Sequence, residues 1–245
     1  MDTLRTRRQL GAAIAGTSVA VAGVLASALA TVPVVVLLAV DRSDITIPLY
    51  ALLFLVGYAA LAFVGVAYLF ITGRGWRFID LKPLDREGLK AVVGFTALAV
   101  AIVGIVGVLS LVGRIETSQN VNLAPGTAGN TQYLLLLIPI ALLVNGPAEE
   151  FLFRNVIQKS LYRHFSRRSA IVVTSIIFAL AHVPAFWSTD LAAMATSITV
   201  VFLGSLVFGS AYAKTESLTV VALVHGLFNA VQIGLLYLAL TYGLF

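Results

Sequence analysis

Charge and cysteine are the two things that this sequence most lacks. Of its 245 residues only 11% are charged, and none is cysteine. A soluble domain has about 25% charged residues, so this chain cannot cover its surface with groups that water solvates. Together with a mean hydropathy of +1.00, this excludes an ordinary soluble enzyme and a disordered regulator. The absence of cysteine excludes disulfides, thiolate nucleophiles and cysteine-based metal sites.

Long apolar runs take the place of the missing charges. A membrane-spanning helix needs about 20 apolar residues, and seven stretches reach or approach that length. They are 10–40, 47–72, 88–113, 133–157, 169–185, 190–212 and 218–243. The first is too long for the apolar core of a signal peptide, so we expect it to be a retained span. The last could also be two short helices that meet near Gly226. The sequence thus predicts an all-α, polytopic membrane helix bundle with seven or eight transmembrane helices.

The basic residues indicate how the chain crosses the membrane. The sequence has 16 Lys and Arg residues, and only Arg42 and Arg114 lie outside four segments. These segments are the N-terminus and the connections between spans 2 and 3, 4 and 5, and 6 and 7. Arg154 is counted in the connection between spans 4 and 5. Cytoplasmic connections are enriched in Lys and Arg. We therefore expect a multi-pass cell-membrane protein with a cytoplasmic N-terminus, whose partner is the lipid bilayer and not a nucleic acid.

Polar residues are distributed unevenly among the spans. The first three spans have essentially none at mid-depth, whereas the later spans contain seven. They are Glu149, Glu150, Arg154, His182 and His225, together with Asn145 and Asn229. Ionisable groups within a bilayer are unfavourable, so each is a candidate for function. We expect two parts: residues 1–132 with helices 1–3 and their interfacial and external loops, and a catalytic core at 133–245 with helices 4–7.

The spacing of the carboxylates separates two roles. Glu150 and Arg154 are four residues apart, so they share a helix face and can form an ion pair. This leaves Glu149 free. Pro147 has no N–H for the carbonyl group four residues earlier, so we expect the helix to kink or restart at Gly146–Pro147.

The positions of the histidines favour a single site inside the bundle. Glu149 and His182 are nearly equally far along the chain from the basic turn at 165–168, so an antiparallel helix pair puts them at nearly the same level. His225 and Asn229 are four residues apart and share a face of the last helix. We expect the three helices to bring these groups together, in a site that opens toward the cytoplasmic leaflet.

Two chemistries are compatible with this set. A glutamate and a histidine that hold one water form a general-base pair, here Glu149 and His182. His225 and Asn229 could then stabilise an oxyanion. Alternatively, Glu149, His182 and His225 could bind zinc or another divalent metal with water as the fourth ligand. Both predict hydrolysis of an amide or ester inside a membrane cavity.

Three short motifs resemble one family in particular. EEFLFR at 149–154 matches E-E-x-x-x-R, FALAH at 178–182 matches F-x-x-x-H, and HGLFN at 225–229 matches H-x-x-x-N. In this order, on separate late spans, they resemble the CPBP family of CAAX proteases and bacteriocin-processing enzymes. This family includes the type II CAAX prenyl endopeptidases and the Abi-like proteins. The resemblance covers roughly residues 133–232.

The resemblance implies an intramembrane endopeptidase and a role for each motif residue. Glu149 would be the water-activating base with His182 as its partner, and His225 and Asn229 would hold the oxyanion. Glu150 and Arg154 would support the site, and we interpret Phe178 as a packing wall. The zinc motif H-E-x-x-H is absent, so we favour a metal-free mechanism without a cofactor, with a zinc or other divalent metalloprotease as the alternative.

The substrate and two other functions stay open at this point. The substrate could be a prenylated CAAX-type tail, a leader peptide or another membrane protein. A non-proteolytic scaffold or maturation factor with the same fold is one alternative, although it would not need an unpaired Glu149. A proton-coupled transporter is another, although these polar groups cluster at one level and do not form a path across the membrane.

Overall fold

Seven long helices build the protein, as described by a computed structural model for residues 2–37 and 46–244. They are α1 (Asp2–Leu37), α2 (Ile47–Ile71), α3 (Arg86–Leu111), α4 (Thr131–Leu161), α5 (Arg167–Ala181), α6 (Leu191–Thr215) and α7 (Leu218–Tyr242). The short turns Trp76–Phe78, Val121–Leu123, Ala124–Thr127 and Val183–Phe186 lie in the connections. All regular elements of the described part are helical, which confirms the predicted all-α, polytopic class.

Helix length gives fewer membrane-spanning helices than the seven apolar runs predict. Within the described residues, six helices are long and apolar enough to cross a membrane. The exception is α5, whose 15 residues extend about 22 Å, less than the roughly 30 Å of a hydrocarbon core. Helix α7 is continuous through Gly226, so the last run is one helix and not two. The eight-helix alternative, which needed two helices in the last run, is therefore wrong, and a count of seven crossings stays a prediction.

Part of the first predicted span lies outside the described residues. Helix α1 is described up to Leu37, so residues 38–40 of that span and the basic residue Arg42 are not covered.

Helix α4 is the central element of the bundle. More than half of its apolar stretch is buried, whereas α1 and α3 expose most of theirs. Leu152, Phe153 and Val156 of α4 are almost completely enclosed and pack in one core with Phe178 of α5 and Phe208 of α6. By contrast, the large apolar side chains along α1 that are more than half exposed form a surface suited to lipid. They include Leu10, Ile14, Val21, Leu25, Leu29, Val32 and Val36.

Of the expected kink or restart at Gly146–Pro147, the restart is wrong, and the helix is locally irregular instead. Helix α4 continues through Pro147, but Ala141–Asn145 and Phe151–Gln158 are π-helical and flank one α-helical turn, Gly146–Glu150. The Gly146 N–H donates to the carbonyl of Ala141, five residues back. A π-helical turn is wider than an α-helical one, which accommodates the proline ring and its missing donor without ending the helix.

Helices α4 and α7 touch through glycine. A Cβ on Gly146 would lie 2.8 Å from the carbonyl oxygen of Ala222, and a Cβ on Gly226 would lie 2.9 Å from the Cα of Leu142. The backbones therefore meet at a distance that only hydrogen side chains allow, as is typical of close helix pairs in membranes. This contact sets α7 directly beside the turn that carries the two glutamates.

The basic segments converge at one end of the bundle. Polar bonds at this end join the N-terminal part of α1, the α2–α3 connection, the α4–α5 turn and the α6–α7 turn. They run from Gln9 to the His164 carbonyl (3.0 Å), from Lys159 to Asp80 (2.7 Å), from Lys82 to the Thr215 carbonyl (3.2 Å) and from Arg167 to Glu216. Arg154 is an exception to the predicted grouping, because it is completely buried within α4 and does not lie in the α4–α5 connection.

Candidate active site

Glu149 and His182 face one another, as the hairpin of α4 and α5 predicts. Glu149 Oε2 lies 3.7 Å from His182 Nε2. Glu149 as a whole residue is 8% exposed, and its Oε2 is buried without a hydrogen-bond partner among the described residues. A gap of this size between a carboxylate and an imidazole can be bridged by one water.

His182 is fixed by its place at the end of α5. The helix ends at Ala181 and Pro184 follows in the next turn. The ring Nδ1 lies 2.8 Å from the carbonyl oxygen of Phe178. Because a carbonyl oxygen can only accept, Nδ1 carries a proton, and Nε2 is the ring nitrogen that faces Glu149.

Glu150 is enclosed by two partners and has no exposed surface. Arg154 Nε donates to its Oε2 at 2.8 Å, which is the predicted ion pair, and His225 Nδ1 donates to its Oε1 at 2.8 Å. Arg154 also donates to the hydroxyl of Ser205 on α6 at 2.9 Å. Glu150 therefore ties α4 to α7 and, through Arg154, to α6.

Asn145 forms the centre of a second polar chain. Its Nδ2 donates to Glu149 Oε1 and to the hydroxyl oxygen of Tyr58 on α2, each at 2.7 Å. Its Oδ1 accepts from Asn229 Nδ2, also at 2.7 Å. Asn229 is thus joined to Glu149 through one side chain.

Phe178 forms an aromatic wall along the site. Its ring centre lies 4.3 Å from that of His182 and 6.0 Å from that of His225, and the Arg154 guanidinium stands 5.1 Å from it. His225 is also stacked on Phe208 at 4.6 Å. Apolar rings around the two imidazoles limit their motion and exclude bulk water.

The site residues predicted from the sequence therefore meet in two groups. One contains Glu149, His182 and Asn229, and the other contains Glu150, Arg154 and His225, with Phe178 against both. His225 bonds to Glu150 and not to Glu149, a pairing that the sequence did not indicate.

Two participants were missed from the sequence. Ser205 follows a glycine within the sixth apolar run, and Tyr58 lies near the middle of the second. A hydroxyl group at the middle of an apolar span was the available signal for Tyr58, but nothing in the sequence indicated which helix it would contact.

The three residues of the metal alternative do not form one group in the described part of the chain. No group of three or more His, Asp or Glu side chains in the described part of the chain is placed to hold a metal ion. His225, one of the three proposed ligands, donates Nδ1–H to Glu150, which leaves only its Nε2 for a metal. We therefore derive no reaction step through a metal.

One of the comparisons with known proteins finds a similar family. Residues 131–231 match the family model described as "Type II CAAX prenyl endopeptidase Rce1-like", a segment that contains all three motifs. No curated protein and no solved structure matches the chain. Residues 131–231 are therefore similar to the type II CAAX prenyl endopeptidases, the group that the three motifs resemble, and this similarity implies a peptidase. The six long apolar helices of the described residues indicate a multi-pass membrane protein.

Proposed function

We propose that this protein is an intramembrane endopeptidase that hydrolyses a peptide bond with a water activated by Glu149 and His182. The observation that carries the proposal is the buried, unpartnered Oε2 of Glu149, which lies 3.7 Å from His182 Nε2. A carboxylate oxygen without a hydrogen bond is unfavourable in an enclosed site. A water between the two groups would donate one hydrogen to Oε2 and one to Nε2.

The hydrolysis needs only groups that this site contains. Glu149 takes a proton from the water as the oxygen forms a bond to the scissile carbonyl carbon. The carbonyl π electrons move to oxygen and give a tetrahedral oxyanion. When the C–N bond breaks, the proton held by Glu149 passes to the leaving nitrogen, which gives an amine and a carboxylic acid.

Asn229 and His225 are the proposed oxyanion donors. Asn229 donates one N–H of its side chain to Asn145, so the second N–H is available to the substrate oxygen. His225 uses Nδ1–H on Glu150, so it can donate from Nε2 only as an imidazolium. The Glu150 carboxylate at 2.8 Å would stabilise that charged ring.

A membrane-associated peptide is the substrate class that the surroundings favour. The family description names CAAX prenyl endopeptidases, and the exposed apolar sides of α1–α3 suit a chain embedded in lipid. A prenylated CAAX-type tail could place its lipid among the helices and extend its peptide to Glu149. A leader peptide or a segment of another membrane protein is the alternative.

A reconstituted cleavage assay tests the proposal. The purified protein in lipid nanodiscs is incubated with a farnesylated CAAX peptide, the same peptide without the lipid, and a hydrophobic leader peptide, and products are identified by mass spectrometry. Cleavage is expected to disappear in Glu149→Gln and to persist in Glu87→Gln, a matched change at an exposed surface pair on α3. Full activity of Glu149→Gln would contradict the mechanism, and no cleavage of any peptide by the folded wild type would favour a scaffold.

Metal dependence is tested separately. We expect activity to survive exhaustive chelation and elemental analysis to find no stoichiometric metal. If activity disappears as one equivalent of zinc is removed and returns when zinc is restored, the metal-free mechanism is wrong.

A further inference from the structure

We propose that Asn145 and Tyr58 are positioning residues that orient the Glu149 carboxylate and fix its distance from the oxyanion donor Asn229. The inference rests on the proposed function. Neither residue belongs to the three motifs, and Tyr58 lies on α2, outside the 131–231 segment that matches the family model.

The carboxamide of Asn145 is saturated by its neighbours. Its two N–H groups go to Glu149 Oε1 and to the Tyr58 hydroxyl oxygen, and its oxygen accepts from Asn229. Asn145 as a whole residue is 9% exposed, so water cannot easily replace these bonds. Because the Glu149 carboxylate can only accept, the amide nitrogen must face it, and the orientation of Asn145 is determined.

This arrangement decides which oxygen of Glu149 can act as the base. Oε1 is occupied by Asn145 at 2.7 Å, so Oε2 is left to face His182. The four-residue spacing of Asn145 and Glu149 puts both on one face of α4, where such side chains interact directly. Without Asn145 the carboxylate could rotate and present either oxygen.

Asn145 also connects the base to the oxyanion donor. Asn229 on α7 and Glu149 on α4 bond to opposite ends of the same small amide. Their separation therefore depends on a planar group and not on a flexible chain. A misplacement of about 1 Å between reacting groups can lower a rate about 10²-fold.

Tyr58 holds this amide from a third helix. Its hydroxyl oxygen accepts the second N–H of Asn145 at 2.7 Å, and its ring is stacked on Phe54 at 6.1 Å between centroids. Rotation of the Asn145 side chain would break this bond together with the other two. Helix α2 thereby helps to hold the site residues in place, although all three motifs lie in later helices.

A double-mutant cycle on kcat tests the proposal. The variants are Asn145→Ala, Asn145→Asp, Tyr58→Phe and the combination of Asn145→Ala with Tyr58→Phe, each measured with the cleaved peptide in nanodiscs. Tyr50→Phe, on the same helix and without a hydroxyl bond in the described structure, is the matched control and should keep the wild-type kcat.

We expect Asn145→Ala to lower kcat about 10²-fold with little change in KM. Asn145→Asp keeps the shape but loses the donors, so it should be at least as impaired. Tyr58→Phe should lower kcat about three- to tenfold, as expected for one lost hydrogen bond. When Asn145 is already alanine, Tyr58→Phe should not lower kcat further, because the effects of two residues that act through the same contact do not add.

The outcomes separate this inference from the proposed function. If folded Asn145→Ala keeps the wild-type kcat, the positioning role is wrong. If Glu149→Gln is inactive in the same assay, the proposed mechanism still stands. A purely structural role would lower the melting temperature and the folded yield but not kcat per folded molecule. If Asn145→Ala does not fold, Tyr58→Phe decides, and its unchanged kcat would overturn the inference. If Glu149→Gln is active, the proposed function itself fails.

Discussion

Glu149 and Glu150 are neighbours in sequence with opposite surroundings. Glu150 is bonded to Arg154 and His225 and has no exposed surface. Glu149 has one amide partner and one free oxygen, and it faces a histidine. Successive residues of a helix point about 100° apart, which allows one carboxylate to join helices while the other stays available for chemistry.

Replacing Glu150 with glutamine is expected to reduce folded protein at least as much as turnover. The change leaves Arg154 without its counter-charge in a fully buried position, and breaking such a pair typically lowers stability by about 3–5 kcal/mol. Size-exclusion yield and melting temperature in detergent are the measurements. A fully stable but inactive Glu150→Gln beside an active Glu149→Gln would mean that the two carboxylates have exchanged roles.

Asn229→Ala is expected to be impaired yet measurably active. Loss of one oxyanion donor lowers kcat about 10²–10³-fold, and Glu149→Ala should be lower still because it removes the base. Single-turnover cleavage rates compare the two. Asn122→Ala, in an exposed connection, is the control and should be indistinguishable from wild type. Equal rates for Asn229→Ala and wild type would remove Asn229 from the mechanism.

Contacts along one helix or across one hairpin could be predicted from the sequence. The Glu150–Arg154 pair follows from four-residue spacing, and the approach of Glu149 to His182 follows from equal distances to a turn. The bonds of Asn145 to Tyr58 and Asn229 could not be predicted in this way. They depend on how α2 and α7 pack sideways against α4, and spacing along the chain carries no information about that packing.

At the scale of the helices, α4 differs most from its prediction. A proline within an apolar run normally indicates a break, but π-helical hydrogen bonds absorb Pro147 here. Whether a proline ends a helix or widens it depends on the neighbours that hold the backbone. The Gly146–Gly226 contact with α7 supplies such a neighbour, and the sequence alone does not indicate it.

Gly226→Ala is expected to inactivate the protein by separating α4 from α7. The added Cβ would lie 2.9 Å from the Cα of Leu142, a backbone atom that cannot move aside alone. Gly234→Ala, two turns later on α7, meets nothing within 4 Å and should keep its activity, with slightly higher stability from alanine's better helix propensity. Melting temperature and kcat are compared for the pair, and equal behaviour would contradict the close-packing argument.

For the whole molecule, the sequence predicted the order of helices and the grouping of charges. Apolar runs gave the positions of the long helices, and the bonds among the basic segments put them at one end. The side of the membrane on which this end lies stays a prediction, since only the positive-inside rule assigns it. The division at residue 132 also stays a prediction.

Labelling of single cysteines tests the orientation. The chain has no cysteine of its own, so an introduced one gives a signal without background. A membrane-impermeant maleimide applied to intact cells should label Gln119→Cys, in the α3–α4 connection, and should label His164→Cys, at the α4–α5 turn, only after permeabilisation. Reversed labelling would mean that the N-terminus lies outside.

The π-helical turns of α4 make the site sensitive to the number of residues, as well as to their identity. Leu143 lies in the first of these turns and is 76% exposed. If the π-helical turn around Pro147 is kept, deleting Leu143 would turn every upstream residue about 100° relative to Glu149. Asn145 would keep its spacing to Glu149, but the first half of α4 would present a different face to α2 and α7. A shortened chain that still inserts and folds should therefore be inactive, although all its motif residues are present. A deletion in a lipid-facing stretch would then have the same effect as a mutation in the active site.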